Sequence, residues 1–340
     1  MTNYANRGKH RMRVTVLGGG SWGSTVASIV ARRHEATLWA RDPDVAKEIR
    51  DKHTNSKYLA GSELHHKLHA TSDLQEAVTG ADVLIVGVPS HGFRQVVEDA
   101  RPWVRPWIPV VSLTKGLEGG TLLRMTQILE EILPGHPAAA LTGPNLAREI
   151  LAGQAAAAVV ATEDHRVAAA LQDIVRTDVF RVYRNNDVIG CEIGGALKNV
   201  IAIAAGIAEG IGVGDNTRAA VITRGLAELT RVGVALGGEA HTLAGLAGMG
   251  DLLATAMSPY SRNRTVGEQL GRGRSLDDIL DSMNMVAEGV KTTKTVMELA
   301  RRHDLDLPIC STIYKVIQGE MPAIGAYTGL RPAGHESEPG

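Results

Sequence analysis

The hydrophobic positions change their pattern near the middle of the chain. In the first half they form short continuous apolar runs, each followed by a polar or glycine-rich break and a segment of helical period. Apolar runs of strand length that alternate with helices are typical of a mainly parallel sheet with both faces covered. This half therefore predicts an α/β domain. The predicted strands are 13–17, 36–40, 81–88, 109–113, 138–141, 155–161 and 179–183.

The second half carries helical patterns and no convincing alternating strand. It opens with a long apolar segment rich in Gly and Ala, residues 187–214, which predicts one long helix and the turn after it. We therefore predict an α/β domain at 12–186, an all-α domain at 187–330 and a disordered tail at 331–340, where Gly, Pro and Glu accumulate. The amphipathic segments are 217–233, 252–257, 265–270, 276–283, 291–303 and 308–317.

Composition narrows the class of protein. The chain has 340 residues, 44% of them hydrophobic, and a formal net charge of −1, which favours neither a nucleic acid nor a membrane surface as the main partner. Its two cysteines, Cys191 and Cys310, lie far apart without a CxxC motif, so we expect a reducing, cytoplasmic environment. The N-terminus lacks the apolar stretch of a signal peptide, and we expect no membrane span.

The histidines at positions 65, 66 and 69 resemble a metal cluster only in spacing. They lie in an apparent loop without carboxylates nearby. We therefore predict no metal site.

A glycine-rich loop directly follows the first predicted strand and precedes a helical pattern. It reads Gly18-Gly-Gly-Ser-Trp-Gly23. In this position Gly18, Gly20 and Gly23 permit a tight turn, close approach of a pyrophosphate and close packing of helix on strand. The loop predicts a dinucleotide site in a Rossmann-type domain, although a plain glycine turn is the alternative.

Several polar segments follow predicted strands. Besides the glycine loop these are Pro89-Ser90, Lys115 and the segment 143–145. Because ligands of parallel sheets bind outside the carboxyl ends of the strands, we expect these segments to line one crevice.

Lys198 is the only Lys or Arg between Arg184 and Arg218, and it lies in the long predicted helix. Helical spacing places small residues beside it, namely Gly194, Gly195, Ala202 and Ala205. Glycines destabilise a helix, so something is expected to approach this face closely. The alternative is a helix-crossing surface with a lysine that extends to solvent at its rim.

Two polar clusters in the helical half have open interpretations. Asp251 follows a glycine-rich turn and is either a helix N-cap or an active-site acid. Ser261, Arg262 and Asn263 combine a hydroxyl, a guanidinium and an amide, which suits a phosphate or a carboxylate, or else forms an exposed helix cap.

The residues after the second predicted strand leave the choice of nicotinamide cofactor open. Arg41 occupies the place where an acid would bind the ribose of NAD, and Asp42 follows it. If Arg41 faces the cofactor, a 2′-phosphate and hence NADPH is favoured; if Asp42 turns inward, NADH is favoured. The alternative is that both residues are exposed to solvent and cap the next turn.

The motifs together resemble bacterial NAD(P)-dependent glycerol-3-phosphate dehydrogenases, from about residue 13 to about residue 319. The resemblance implies a Rossmann-type N-terminal domain with an all-α C-terminal domain of 6-phosphogluconate-dehydrogenase-like architecture, in a cytoplasmic homodimer. It also implies reduction of dihydroxyacetone phosphate to sn-glycerol 3-phosphate for glycerophospholipid synthesis. The motifs are Gly18-Gly-Gly-Ser-Trp-Gly23, Val88-Pro-Ser90, Thr114-Lys-Gly-Leu117, Thr142-Gly-Pro-Asn145, Gly194-Gly-Ala-Leu-Lys-Asn199, Gly248-Met-Gly-Asp251, Ser261-Arg-Asn263 and Ala287-Glu-Gly289.

The resemblance also implies roles for single residues. Lys198 exchanges the proton, and Lys115 lies at both nicotinamide and substrate. Asn145 stands where many relatives have Ser or Thr. The implied substrate contacts are Gly143, Asn145, Asp251, Ser261, Arg262 and Asn263; the implied contacts to NADP(H) or NAD(H) are Ser21, Trp22, Arg41, Ala147, Arg262, Val286 and Glu288.

The chemistry of ketone reduction fits these residues. The carbonyl oxygen needs charge stabilisation and a proton, which Lys115 and Lys198 can supply from opposite domains. Burial and the like charge of Lys115 should lower the pKa of Lys198. A 6-phosphogluconate or 3-hydroxyacid dehydrogenase shares the two-domain plan, and a catalytically silent dinucleotide sensor is a further alternative.

Overall fold

A computed structural model describes residues 11–283 and 287–330 of the chain, with the side chains of 327–330 outside the description. The predicted tail, 331–340, lies outside the described residues.

The N-terminal half contains one eight-stranded sheet with the order β3-β2-β1-β4-β5-β6-β7-β8. All neighbouring strands are parallel except the antiparallel pair β6 and β7. This confirms the mainly parallel sheet. The strands are β1 Arg13–Leu17, β2 Glu35–Trp39, β3 His69–Thr71, β4 Val83–Val86, β5 Val110–Ser112, β6 Ala138–Thr142, β7 Ala156–Ala161 and β8 Phe180–Asn185.

One strand was missing from the prediction. β3 has only three residues, begins with an exposed histidine and pairs with β2 through Thr37 and His69. A strand this short carries no apolar run, so its pairing with β2 defines it. The placement of His69 in a loop was therefore wrong.

Helices cover both faces of the sheet. The longer helices pack against the strands and form two buried apolar clusters with them, one on each side of the sheet. In chain order they are α1 Ser21–Ala31, α2 Pro43–Lys52, α3 Ser56–Leu59, α4 Leu74–Val78, α5 Phe93–Ala100, α6 Met125–Ile132, α7 Ala147–Leu151 and α8 His165–Val175.

The described part of the C-terminal half is helical and surrounds one buried helix, α9, whose residues from Gly190 to Ala208 are all buried. Together with the sheet this confirms the predicted fold class. The helices are α9 Val188–Ile211, α10 Asp215–Ala235, α11 Ala240–Leu243, α12 Asp251–Met257, α13 Arg262–Gly271, α14 Leu276–Asp281, α15 Glu288–Arg302 and α16 Pro308–Ile317, with a π-helical turn at Leu246–Gly250 before α12 and a 3₁₀ segment at Ala323–Leu330.

Both ends of α9 are defined by local chemistry. Asp187 is the N-cap, and its Oδ1 accepts a hydrogen bond of 2.7 Å from the Gly190 amide. Gly212 ends the helix in the left-handed conformation, with φ of 82°. The predicted domain boundary at 186/187 falls between β8 and this cap, and the division into domains stays a prediction.

The glycines near the C-terminal end of α9 serve a close helix crossing. A Cβ added to Gly206 would lie 2.1 Å from the Arg264 carbonyl oxygen of α13, and one added to Gly267 would lie 2.1 Å from the Ile203 oxygen of α9. The two backbones therefore touch, and only glycine fits there. The helix-crossing interpretation applies to this part of α9.

By length and composition α9 could cross a bilayer, with a mean hydropathy of 1.5 over its most apolar window. However, 89% of that window is buried inside the protein. Core helices of soluble proteins share these properties, so the finding is weak evidence for a span.

Candidate active site

The carboxyl ends of the central strands lie side by side. The register aligns Leu17 of β1 with Trp39 of β2 and Val86 of β4, and Val86 with Ser112 of β5. The segments after β4 and β5 are joined by the Thr114 hydroxyl, which donates to the Val88 carbonyl at 2.6 Å. The polar segments that follow the strands therefore share one edge of the sheet, as predicted.

The glycine loop forms a tight turn between β1 and α1. Gly18 has φ of 123°, and a Cβ there would lie 2.5 Å from the Gly87 carbonyl oxygen. A Cβ on Gly23 would lie 2.0 Å from the Gly18 oxygen. Gly20, the N-cap of α1, faces open space and offers no side-chain cap. The first N–H groups of α1 are thus accessible to an anion, and the loop fits a dinucleotide pyrophosphate.

Three further predicted cofactor residues lie at the start of α1 or of α7. Ser21 and Trp22 are the first residues of α1, and Ala147 is the first residue of α7, which packs beside α1. The Trp22 ring meets Phe180 edge-on at 6.1 Å. Its buried Nε1 has no hydrogen-bond partner within the described protein, so an unsatisfied N–H donor lies beside the loop.

A carboxylate joins the two lysines. Lys115, three residues after β5, donates to Asp251 Oδ2 at 2.7 Å and to the Gly143 carbonyl at 2.9 Å. The ammonium of Lys198 donates to Asp251 Oδ1 and, at 2.5 Å, to Thr255 Oγ1. Asp251 is 1% exposed and Lys198 6%, so the cluster is nearly closed to water. Asp251 is the first residue of α12, whose N-cap is Gly250, so Asp251 is not the cap. Its role as an active-site acid stays a prediction.

The pKa of Lys198 is lowered, as predicted. Burial lowers it most, the Asp251 carboxylate raises it, and the neighbouring Lys115 charge lowers it, which leaves the pKa at about 8. A lysine in this range exchanges a proton near neutral pH.

The close approach expected at the face beside Lys198 is made by the protein itself at Gly194 and Gly195. A Cβ on Gly194 would lie 2.6 Å from the Ala247 oxygen in the π-helical turn before Asp251. A Cβ on Gly195 would lie 2.8 Å from Thr142 Oγ1 and 3.4 Å from Lys115 Cγ. These glycines let Asp251 and Lys115 approach α9. Lys198 is buried, so the interpretation of a lysine extended to solvent is wrong.

Two polar side chains near Lys115 lack partners. Thr142 Oγ1 and both amide atoms of Asn145 are buried without a hydrogen bond to any described residue. Unsatisfied buried groups are uncommon and suit a polar ligand. Asn145 was among the predicted substrate residues, whereas Thr142 was missed, although its position at the end of β6 directly before Gly143 was a usable signal.

The cluster at the start of α13 divides in two. Ser261 caps the helix by accepting from the Arg264 amide at 3.2 Å. Asn263 donates to Asn199 of α9 at 2.9 Å and accepts from the Gly289 amide of α15 at 2.9 Å. Arg262 is exposed and has no ion pair among the described residues. Ser261 and Asn263 therefore belong to a buried junction between helices, while the Arg262 guanidinium is available to a ligand. Substrate contacts of all three residues stay predictions.

Glu288 connects the helical half with the sheet edge. Its Oε1 accepts a hydrogen bond of 3.2 Å from the Ser90 amide, just beyond β4. Burial raises the pKa of Glu288, while Ser90, Arg262 and the two lysines oppose the shift. Val286, another predicted cofactor contact, lies outside the described residues.

The structure separates the roles of Arg41 and Asp42. Asp42 caps α2 by accepting from the Asp44 amide at 3.0 Å, and it accepts from Lys57 Nζ at 2.8 Å. Arg41 is exposed and forms no hydrogen bond or ion pair with a described residue. Asp42 is thus occupied, and Arg41 is the charge left free at the end of β2.

The described residues contain no group of three or more His, Cys, Asp or Glu side chains that could hold a metal ion. Among them, His65 and His66 stack on each other with centroids 4.5 Å apart.

Comparisons with known proteins agree with the geometry. The sequence models of the N-terminus and the C-terminus of NAD-dependent glycerol-3-phosphate dehydrogenase match residues 13–168 and 187–327. NAD(P)+ glycerol-3-phosphate dehydrogenase 2 of Sphingopyxis alaskensis is 56% identical over 332 residues, 97% of this chain and 100% of the relative. A Mycobacterium tuberculosis relative, NAD(P)+ glycerol-3-phosphate dehydrogenase 1, is 53% identical over 96% of this chain and 97% of its own.

A solved structure shares the whole fold. Glycerol-3-phosphate dehydrogenase from Coxiella burnetii superposes with a TM-score of 0.90 at 33% identity, covering 94% of this chain and 98% of that chain.

Proposed function

Because the chain belongs to the NAD-dependent glycerol-3-phosphate dehydrogenase family, we propose that the crevice holding Lys115, Lys198 and Asp251 is its active site. The enzyme is an NAD(P)-dependent oxidoreductase that interconverts dihydroxyacetone phosphate and sn-glycerol 3-phosphate, a precursor of glycerophospholipids. The observation that carries the site assignment is the Asp251 carboxylate, which binds the ammonium groups of both lysines. Oxidation of NADPH on addition of dihydroxyacetone phosphate tests the activity.

In this site the two lysines have different roles at the carbonyl oxygen of the substrate. When bound, the nicotinamide supplies the hydride that reduces the ketone carbon. Lys198 gives its Nζ proton to the oxygen, and Lys115 stabilises the negative charge that develops there. Asp251 orients both ammonium groups, because it accepts from each of them. In the reverse direction the neutral Lys198 accepts the proton.

The remaining polar groups would hold the rest of the substrate. The buried Thr142 hydroxyl and Asn145 amide lack partners and can bind its hydroxyl group. Arg262 is the unpaired guanidinium at the start of α13 and would bind the phosphate. Ser261, Asn263 and Gly143 complete this side of the pocket.

The rate should depend on pH through Lys198. Its pKa of about 8 means that its acidic form is lost as pH rises through that value. We expect kcat/KM for ketone reduction to be constant well below pH 8 and to fall as pH rises through about 8, and kcat/KM for alcohol oxidation to rise through the same range. Initial rates in both directions, at saturating cofactor and with substrate well below KM, measure this. A rate of reduction that does not change across this range would remove Lys198 as the acid.

Arg41 should favour NADPH over NADH. Its guanidinium lacks a protein partner at the end of β2 and can pair with a 2′-phosphate, while Asp42 is held by α2 and Lys57. We expect kcat/KM to be higher for NADPH, with a preference that shrinks as salt is added. Arg41→Ala should lower kcat/KM for NADPH roughly 10- to 100-fold, as expected for a hydrogen bond to a charged group.

The control for this variant is Arg50→Ala, which removes an exposed arginine from the neighbouring helix α2. It should leave the ratio of the two cofactors unchanged. A strong NADH preference that survives Arg41→Ala would refute the assignment.

We further propose that the enzyme is a homodimer in the cytoplasm. The family resemblance supports the dimer, and the two free cysteines, both buried, suit a reducing compartment. Light scattering of the purified protein would contradict the dimer if it returned the mass of a single chain.

A further inference from the structure

Glu192 is a buried acid that the proposed chemistry does not use. It lies on α9, six residues before Lys198, and is 6% exposed. Its carboxylate accepts hydrogen bonds from Arg124 Nη1 at 2.6 Å, from the Thr126 amide at 3.0 Å and from the Thr126 hydroxyl. Burial raises the pKa of Glu192, while Arg124 and Thr126 oppose the rise. Removal of a partner from such a group leaves a costly unpaired charge.

The donors to Glu192 lie where the loop that carries Lys115 enters α6: Arg124 is the N-cap of that helix and Thr126 is in its first turn. This loop runs from the end of β5 to the start of α6 and closes on itself, because Leu117 and Arg124 form a β-bridge. The Glu118 amide also donates to the Leu123 carbonyl at 2.9 Å. Lys115 therefore lies only two residues from the closed base of the loop.

The same loop also reaches the apolar core of the helical half. Leu117 is 6% exposed and belongs to the buried cluster that includes Ala196 and Leu197 of α9. The hydrogen bonds to Glu192 and the burial of Leu117 in this cluster therefore fix both ends of the loop base to the helical half that bears Lys198. Lys115 and Lys198, which both bind Asp251, thus lie on segments that these contacts connect.

We propose that Glu192 is a positioning residue that sets the separation of Lys115 and Lys198 around Asp251, by fixing the base of the Lys115 loop to α9. The inference rests on the proposed roles of the two lysines. It makes Glu192 necessary for turnover although it touches neither reacting group.

Glu228 provides a matched control. This glutamate of α10 is 1% exposed, and its carboxylate accepts from the amides of Ile309 at 2.6 Å and Cys310 at 3.0 Å, at the start of α16. Like Glu192, it is a buried acid that receives hydrogen bonds at the beginning of a helix. None of these contacts involves the Lys115 loop.

The test compares Glu192→Gln with Glu228→Gln in the full-length enzyme. We expect Glu192→Gln to lower kcat roughly 100-fold, since a misplacement of about 1 Å has that effect, with little change in KM for NADPH. If Lys115 moves away from Lys198, a like charge that lowers the pKa of Lys198 is lost, so the alkaline fall of the reduction rate should move to higher pH. Glu228→Gln should lower the melting temperature while it leaves kcat and the pH profile unchanged.

A milder variant covers the case in which Glu192→Gln does not fold. Thr126→Val removes one donor to Glu192, and Thr126→Ser restores the hydroxyl. We expect the same two changes at smaller amplitude in the valine variant and their reversal in the serine variant.

Two results would overturn the inference. One is unchanged kcat and pH profile in folded Glu192→Gln or Thr126→Val; the other is a loss of activity that Glu228→Gln shares. Failure of the proposed function is distinguishable, because then the unmodified enzyme would not reduce dihydroxyacetone phosphate.

Discussion

Lys198→Met should abolish turnover almost completely. Loss of a general acid lowers the rate by ~10²–10⁴, and here the lysine is also one of two cations on Asp251. Methionine has a similar length and suits the buried position, and Lys115 remains to pair with Asp251. The fold and the cofactor affinity should therefore change little. Steady-state rates together with NADPH titration by fluorescence measure both quantities.

Lys315→Met is the control for this variant, because it removes an exposed lysine from α16. Its kcat should equal that of the unmodified enzyme. If folded Lys198→Met retains near-normal kcat, Lys198 has no part in proton transfer.

Arg262→Ala should weaken the reaction of the phosphorylated substrate selectively. Arg262 has no ion pair among the described residues and stands beside the Ser261 cap at the start of α13. If substrate binding pairs its guanidinium with the phosphate and excludes water from that pair, truncation costs roughly 2–5 kcal/mol in kcat/KM. Unphosphorylated dihydroxyacetone lacks this contact and should lose far less. Measurement of kcat/KM for both substrates tests the difference.

Arg272→Ala controls for the loss of a positive charge near α13, since Arg272 is the exposed C-cap at the other end of this helix and pairs with Glu268. It should affect neither substrate. Equal losses for both substrates in Arg262→Ala would mean that Arg262 supports the structure or the cofactor instead of the phosphate.

The spatial partners of individual charged residues could not be identified from the sequence. Asp251 had two possible roles in the sequence, and its contacts with Lys115 and Lys198 became visible only in the structure. Arg41 and Asp42 were equally ambiguous in the sequence; the structure shows Asp42 bound at α2, and the cofactor contact of Arg41 stays a prediction. Glu192 carried no signal at all, because a lone acid in an apolar helix does not reveal which distant donors surround it.

The sequence by itself determined the elements and the chemistry they present. Seven strands and the long helix α9 followed from the period of apolar residues, because burial acts on local patterns. The glycine loop and the isolated Lys198 followed from the conformational and electrostatic demands of single positions. These signals are contained in short windows of sequence and need no knowledge of neighbours in space.

Tertiary structure decided how those elements meet. Asp251 lies 136 residues from Lys115 and 53 from Lys198, so no local pattern encodes their shared carboxylate. The same holds for Gly194 and Gly195, whose neighbours are a π-helical turn, Thr142 and the stem of Lys115. Strand β3 formed because β2 offered it a partner. Each of these outcomes depends on packing between segments distant in the chain, and packing is a property of the folded molecule.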